Sequence, residues 1–147
     1  MQCGNVHNSE IEGNINNRII TQKELKSFQK IADSDEDHRA LLGAAWIHIQ
    51  NQNYQKAVKA FNESLKRKKS ANAYLGLGIA YEALHHVDYA ISSYIQALNM
   101  KPNWTYAHYQ LGRLYFNTGQ KDHAMEKLDF LVRNNKALAG KLMDTFY

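Results

Sequence analysis

The chain repeats itself with a period of about 34 residues, and this period constrains the fold more than any other feature. Seven positions of the middle copy are large and apolar, small, or proline: Tyr74, Leu77, Gly78, Tyr81, Ala90, Tyr94 and Pro102. The corresponding positions of the next copy are His108, Leu111, Gly112, Tyr115, Ala124, Leu128 and Lys136. Those of the preceding copy, where the spacing is one position shorter, are Leu41, Ala44, Ala45, His48, Ala57, Phe61 and Lys69. The apolar and small columns persist in all three copies, which indicates a repeat architecture.

The spacing within each copy predicts two antiparallel α-helices joined by a short turn. Ala45, Gly78 and Gly112 are small enough for a second helix to cross closely, and an alanine follows each of them twelve positions later. The predicted turns are 51–53, 84–86 and 118–120. One pair of helices cannot bury its own apolar face, so the pairs must stack, and stacking builds a superhelix with a concave and a convex side.

These columns resemble the tetratricopeptide repeat, written W-x2-L-G-x2-Y…A-x3-F…P, over about residues 38–136. The middle copy matches best, and the first departs most, with Ala44-Ala45 and His48 where Leu-Gly and Tyr are usual. The resemblance implies an all-α fold, a right-handed superhelix of three helix-turn-helix repeats with N- and C-terminal capping helices. Its copies would lie at about 38–70, 71–104 and 105–138.

The sequence before the first copy predicts a flexible arm over 1–20, followed by a single domain over 21–147. Thr21-Gln22-Lys23-Glu24 has the capping-box pattern, in which Thr21 and Glu24 satisfy backbone amides at a helix start. Apolar residues at helical spacing follow, so we expect an N-terminal helix over 21–33; they are Leu25, Phe28 and Ile31. The acidic segment 34–37 predicts the start of a separate next helix, because carboxylates favour the positive end of the helix dipole.

After the last copy, Leu138, Leu142 and Phe146 recur every four positions. This spacing predicts a final helix over 137–147. An open repeat array needs such a cap over its last apolar face.

The composition fits a soluble globular chain, with 44% hydrophobic and 22% charged residues. No stretch approaches the ~18 apolar residues that a transmembrane helix needs. The net charge of +4 is uneven, since residues 38–147 hold fourteen Lys or Arg against seven Asp or Glu. A basic body admits nucleic acid as a partner, above all through the run 66–69, but cations at the end of a helix explain that run more simply. Nucleic-acid binding is therefore the least favoured hypothesis.

Cys3 is the only cysteine, so an internal disulfide and a thiolate zinc site are excluded. The simpler interpretation is a free thiol near the start of a cytoplasmic protein. The alternative is a fragment of a bacterial lipoprotein, anchored to a membrane only if Cys3 is lipidated.

The pattern of reactive residues predicts no enzyme, no cofactor and no metal site. Seven histidines are present, but His85-His86 are adjacent in a turn and no His-x3-His pair shares a helical face. Zinc needs three or four convergent ligands. Gly76 and Gly78 lie within a predicted helix, where they permit close packing and do not cradle a phosphate.

The resemblance implies that partners bind a concave face lined by the first helix of each pair. The aligned columns map thirteen residues to that face: Leu42, Trp46, Ile49, Asn72, Leu75, Ile79, Glu82, Tyr106, Tyr109, Gln110, Arg113, Phe116 and Asn117. We expect apolar anchoring at Trp46, Tyr109 and Phe116, since aromatic residues are enriched at interface hot spots. Polar members of the set would fix the partner's register by hydrogen bonds; they are Asn72, Gln110, Arg113 and Asn117, of which Arg113 is placed to pair with a partner carboxylate.

The sequence thus predicts a protein–protein interaction module, an adaptor, scaffold or assembly factor, that binds a peptide or helical segment in its groove. Some relatives grip chaperone tails with a two-carboxylate clamp, but the matching positions lack the cationic and amide donors, apart from the amide of Gln110; they are Leu42, Trp46, Gly76, Tyr106 and Gln110. Two alternatives stay open: the C-terminal helix occupies the groove, or terminal helices exchange between chains in a homo-oligomer.

Overall fold

The computed structural model describes residues 22–147, and for residues 24, 25 and 27–36 it describes the backbone alone. The chain divides into two compact units, Met1–Asp37 and His38–Tyr147. The predicted arm over 1–20, Cys3 and the Thr21 cap lie outside the described residues, as do the side chains of Leu25, Phe28 and Ile31.

Within residues 22–147 the structure consists of seven α-helices and no strand. They are α1 (Gln22–Gln50), α2 (Tyr54–Arg67), α3 (Ala71–Ala83), α4 (Val87–Met100), α5 (Thr105–Asn117), α6 (Lys121–Asn134) and α7 (Lys136–Phe146). The all-α fold class and the C-terminal helix are confirmed.

The predicted helix break at 34–37 is wrong, because α1 runs without interruption from Gln22 to Gln50. Serine and acidic residues favour helix starts but do not prevent helical backbone. The segment contains no glycine or proline, the residues that most strongly interrupt a helix. The separate helix expected over 21–33 is therefore the first part of α1.

The turns that follow α1, α3 and α5 share one backbone geometry. Each has a left-handed residue at the same register: Gln52 (φ 61°), His85 (φ 63°) and Gly119 (φ 81°). In the second turn His85 N–H donates to Glu82 O (3.0 Å) and His86 N–H donates to Tyr81 O (2.9 Å). The equivalent amides make the same two bonds in the other turns. This is the Schellman ending of a helix, and its recurrence confirms the predicted turn positions.

Small residues admit aromatic rings into the seams between helices. Ala57, Ala90 and Ala124 are fully buried at equivalent positions of α2, α4 and α6. The Phe61 ring of α2 lies against Gly76, and the Tyr94 ring of α4 lies against Gly78. A side chain at either glycine would overlap a ring, so these glycines serve close packing as the sequence predicted.

Helix α7 closes the apolar face left by α5 and α6. Leu142 is fully buried in a cluster with Leu128 and Leu131 of α6. The Phe146 ring stacks on Phe116 of α5, with centroids 4.1 Å apart. These contacts support the predicted capping role at the C-terminal end.

Candidate partner-binding pocket

Helices α1 to α5 surround a pocket of about 220 Å³, which we call the groove pocket. Eight residues line it: Ile49, Tyr54, Ile79, Glu82, Ala83, Tyr94, Gln110 and Arg113. One side is aliphatic and the other carries opposite charges, so the groove pocket offers both apolar burial and hydrogen bonding.

An ion pair between helices α3 and α5 forms the polar side of the groove pocket. The Arg113 Nη2 group donates to Glu82 Oε2, and the two side chains are 27% and 21% exposed. Because both are mostly withdrawn from solvent, their attraction is screened less than that of a surface pair. The sequence predicted that Arg113 would pair with a carboxylate of a partner, but in the structure it pairs with the carboxylate of Glu82 in the same chain.

Tyr94 of α4 holds the Glu82 carboxylate of α3 by a hydrogen bond. The Tyr94 hydroxyl donates to Glu82 Oε1 at 3.1 Å. Burial, and then the negative charge of Glu82, raise the pKa of Tyr94 far above its usual value of 10.0. The phenol accordingly stays protonated at neutral pH and remains a hydrogen-bond donor.

Gln110 extends the network along α5. Its Oε1 accepts from Arg113 Nη2 (3.1 Å) and Nε (3.3 Å), and its Nε2 donates to the Tyr106 hydroxyl (3.0 Å). The hydrogen-bonded series Tyr94–Glu82–Arg113–Gln110–Tyr106 thus joins α3, α4 and α5. Such a network fixes side-chain directions before any partner arrives.

The thirteen residues mapped to the concave face lie in different environments in the structure: some line the groove pocket, some are packed in clusters and some are exposed. Five line the groove pocket: Ile49, Ile79, Glu82, Gln110 and Arg113. Leu75 is buried, and Leu42 and Trp46 pack against the cluster around Phe61, with the Trp46 and Phe61 rings 5.3 Å apart at 83°. Asn72, Tyr106 and Asn117 are exposed.

Two of the three expected anchors pack against the C-terminal helix or its neighbours. Phe116 stacks on Phe146, and Tyr109 contacts the cluster that contains Leu142. Trp46, the third, is engaged by Phe61. Their intramolecular contacts reduce the surface that each can offer to a partner, and their role as anchors stays a prediction.

Sequence reasoning missed three residues of the groove pocket, namely Tyr54, Ala83 and Tyr94. Tyr94 is one of the repeating positions of the middle copy, but it lies on the second helix of its pair, and the sequence assigned only first helices to the concave face. Its hydroxyl reaches past the seam to Glu82, a contact that the residue type made available but that only the helix crossing reveals.

Among the described residues, one of the histidines, His108, and one residue of the basic run, Lys66, have structural explanations. His108 Nε2 donates to Pro102 O at 2.8 Å, and its ring stacks on Phe130. Lys66, within the run 66–69, pairs with Glu63 at 2.8 Å near the end of α2. In residues 22–147 no three His, Cys, Asp or Glu side chains converge as a metal site would require, and none of the helices described there has the length and apolarity to cross a bilayer.

Comparisons with known proteins identify the repeat. Two family models, each described as tetratricopeptide repeat, match residues 25–73 and 105–127. The first match begins upstream of residue 38, where the sequence columns began. Most of the middle copy lies between the two matches, so the number of copies, three by the sequence columns, stays a prediction.

Similar proteins carry the same repeat name. The chain is 32% identical over 90 residues to Tetratricopeptide repeat protein 37 of Xenopus laevis, which covers 60% of this chain and 6% of that protein. It is 26% identical over 125 residues to Tetratricopeptide repeat protein 6 of Homo sapiens, which covers 82% of this chain and 24% of that protein. The chain therefore spans a small part of each relative.

A solved structure supports the fold. The crystal structure of MamA superposes with a TM-score of 0.65 at 18% identity, covering 99% of this chain and 91% of that one. Together with the recurring turns and the helix pairs, the family matches support a protein-interaction or scaffold module in general terms. Two segments of the chain, residues 25–73 and 105–127, are thus similar to the tetratricopeptide repeat.

Proposed function

We propose that residues 38–147 bind a peptide or helical segment of a partner protein, and that this segment occupies the groove pocket. The observation that carries the proposal is a pocket lined from five helices with aliphatic residues on one side and an ordered ion pair on the other. Interfaces gain affinity where an apolar anchor enters a preformed pocket whose rim supplies hydrogen bonds. The protein would act as an adaptor or scaffold, without catalysis.

The test removes one aliphatic wall of the groove pocket and compares it with a matched surface change. Ile79→Ala shortens a lining residue, and Ile95→Ala makes the same change on α4, where Ile95 is exposed and outside the pocket. Proteins retained by the wild type from native lysate are identified by mass spectrometry. The affinity of each purified candidate is then measured by calorimetry for all three proteins.

A partner that binds the groove pocket loses at least about tenfold in affinity with Ile79→Ala and keeps its affinity with Ile95→Ala. Circular dichroism establishes that both variants keep their helix content. Equal affinity for the wild type and Ile79→Ala would move the binding site away from the groove pocket.

The alternative of helix exchange between chains gains no support from α7. Leu142 is fully buried and Phe146 is stacked within the same chain, so exchange would first have to break these contacts. Light scattering across a wide concentration range tests it, because an exchanging oligomer changes mass with concentration.

A further inference from the structure

The size of the groove pocket fits one partner side chain better than a complete small ligand. Pockets for drug-sized molecules usually measure about 300–1,000 Å³, whereas this one measures about 220 Å³. Its aliphatic and aromatic walls come from Ile49, Tyr54, Ile79 and Ala83. A side chain that enters must therefore present a largely apolar body.

The charge on the polar side is balanced within the chain. Glu82 accepts from Arg113 through one carboxylate oxygen and from Tyr94 through the other. A partner carboxylate that approached Arg113 would come close to Glu82, and a partner ammonium that approached Glu82 would come close to Arg113. Like charges brought together at an interface suppress binding, so either charged group is disfavoured.

Arg113 nevertheless keeps hydrogen-bonding capacity. Its guanidinium has five N–H groups, and three of them are directed at Glu82 and Gln110 among the described residues. The remaining two can donate to a neutral oxygen, which brings no second negative charge to Glu82. A hydroxyl at the tip of an apolar side chain meets this requirement.

We propose that Glu82 is a specificity-determining residue, a built-in counter-ion that makes the groove pocket select a tyrosine-like partner side chain and reject carboxylates and ammonium groups. The inference rests on the proposed function, since it names the part of the partner that enters the groove pocket. Tyrosine combines a rigid apolar ring with a polar tip and is enriched at interface hot spots.

The experiment uses side-chain analogues, so it needs no identified partner. The isotope-labelled full chain is titrated with p-cresol, propionate or n-butylammonium at constant pH and ionic strength. NMR follows the Ile79 methyl groups and the Arg113 Nε–H signal. Three variants accompany the wild type: Glu82→Gln, Arg113→Gln, and Glu63→Gln, which removes the same charge from an ion pair outside the groove pocket.

The proposal expects p-cresol to shift both signals of the wild type saturably, and the two ions to bind at least about tenfold more weakly. Glu82→Gln gains about tenfold in affinity for propionate, Arg113→Gln gains similarly for n-butylammonium, and Glu63→Gln behaves as the wild type. If one pocket variant loses its fold by circular dichroism, the other variant decides.

Propionate binding to the wild type as tightly as p-cresol overturns the proposal, as does a failure of every probe to shift the pocket signals. An unchanged ion preference in a folded Glu82→Gln or Arg113→Gln protein overturns it too. These outcomes differ from failure of the proposed function, in which the probes behave as expected but Ile79→Ala leaves partner affinity unchanged.

Discussion

Gly43 on α1 and Gly76 on α3 occupy equivalent positions in successive copies, yet their surroundings are opposite. An added Cβ at Gly76 would overlap the buried Phe61 ring, while a Cβ at Gly43 would meet no described atom within 4 Å. Glycine is therefore required for packing at Gly76, in the middle of the array. At Gly43, where the helix face is open, glycine only lowers the stability of the helix. Equivalent positions of the repeat therefore lie at the same place on their helices, but the packing of the neighbouring helix determines which side-chain size each position tolerates.

The C-terminal end resembles the enclosed middle more than the open position at Gly43. Gly112 on α5 lies against Leu142 of α7 and Lys127 of α6, either of which would crowd an added Cβ. Helix α7 thus supplies the cover that a further helix pair would give.

The largest effect is expected from Leu142→Ala. Removing a fully buried leucine costs about 3 kcal/mol of unfolding free energy, because the α5–α6–α7 cluster is left with a cavity. Urea denaturation measures it, and Met143→Ala, at a residue 45% exposed on the same helix, is the control with little change. A loss below about 1 kcal/mol would mean that this end is open as well.

Alanine at the two equivalent glycines should change stability in opposite directions. Gly76→Ala overpacks the seam beside Phe61 and lowers the unfolding free energy by about 2 kcal/mol. Gly43→Ala raises it by about 0.5–1 kcal/mol, since alanine is the better helix former in open space. Denaturation of both proteins under one condition makes the comparison. The same sign for the two would contradict the contrast between enclosed and open registers.

The recurring turn predicts a smaller pair of effects. Gly119→Ala places a Cβ in the left-handed region and costs about 1 kcal/mol, whereas His85→Gly relieves the same strain and adds up to about 1 kcal/mol. Thermal denaturation compares the two variants with the wild type. A destabilised His85→Gly protein would show that the His85 side chain makes a contact worth more than the backbone strain.

The smallest effect concerns pH. Burial, and then the charge of Lys127, lower the pKa of His108 below 6.5 against the opposing hydrogen bond to Pro102. The unfolded chain then binds the proton more readily, so this contribution to stability is complete above pH 6.5 and is lost as pH falls through the lowered pKa. His108→Gln should flatten that part of the stability profile. A profile in a folded His108→Gln protein as steep as that of the wild type would assign the slope to other groups.

The array and its seams could be predicted from the sequence because close helix crossings demand small residues at a fixed period. The columns at Ala57, Ala90 and Ala124 proved fully buried, and all three turns lie where they were expected. The left-handed geometry at Gln52 and His85 could not be foreseen from residue type, since only Gly119 is a residue that favours it.

The sequence predicted several lining residues of the candidate site but not how its charged side chains pair. The columns brought Ile49, Ile79 and Arg113 to one face, and the structure places all three around the groove pocket. The pairing of Arg113 with Glu82 joins residues 31 positions apart, and its geometry depends on side-chain rotamers and helix crossing. The sequence left Arg113 available to a partner, and the fold supplied its counter-ion.

Local periodicity by itself determined that this chain forms paired helices, where they turn and which small residues lie in the seams. Those features follow from backbone geometry and side-chain size, and the repeating pattern of residue sizes is visible in the sequence. Only the tertiary structure decided that α7 covers Phe116 and that Glu82 neutralises Arg113. Each of these outcomes depends on distant groups that meet only after the helices have packed, because contact energies are set by three-dimensional proximity and not by spacing along the chain.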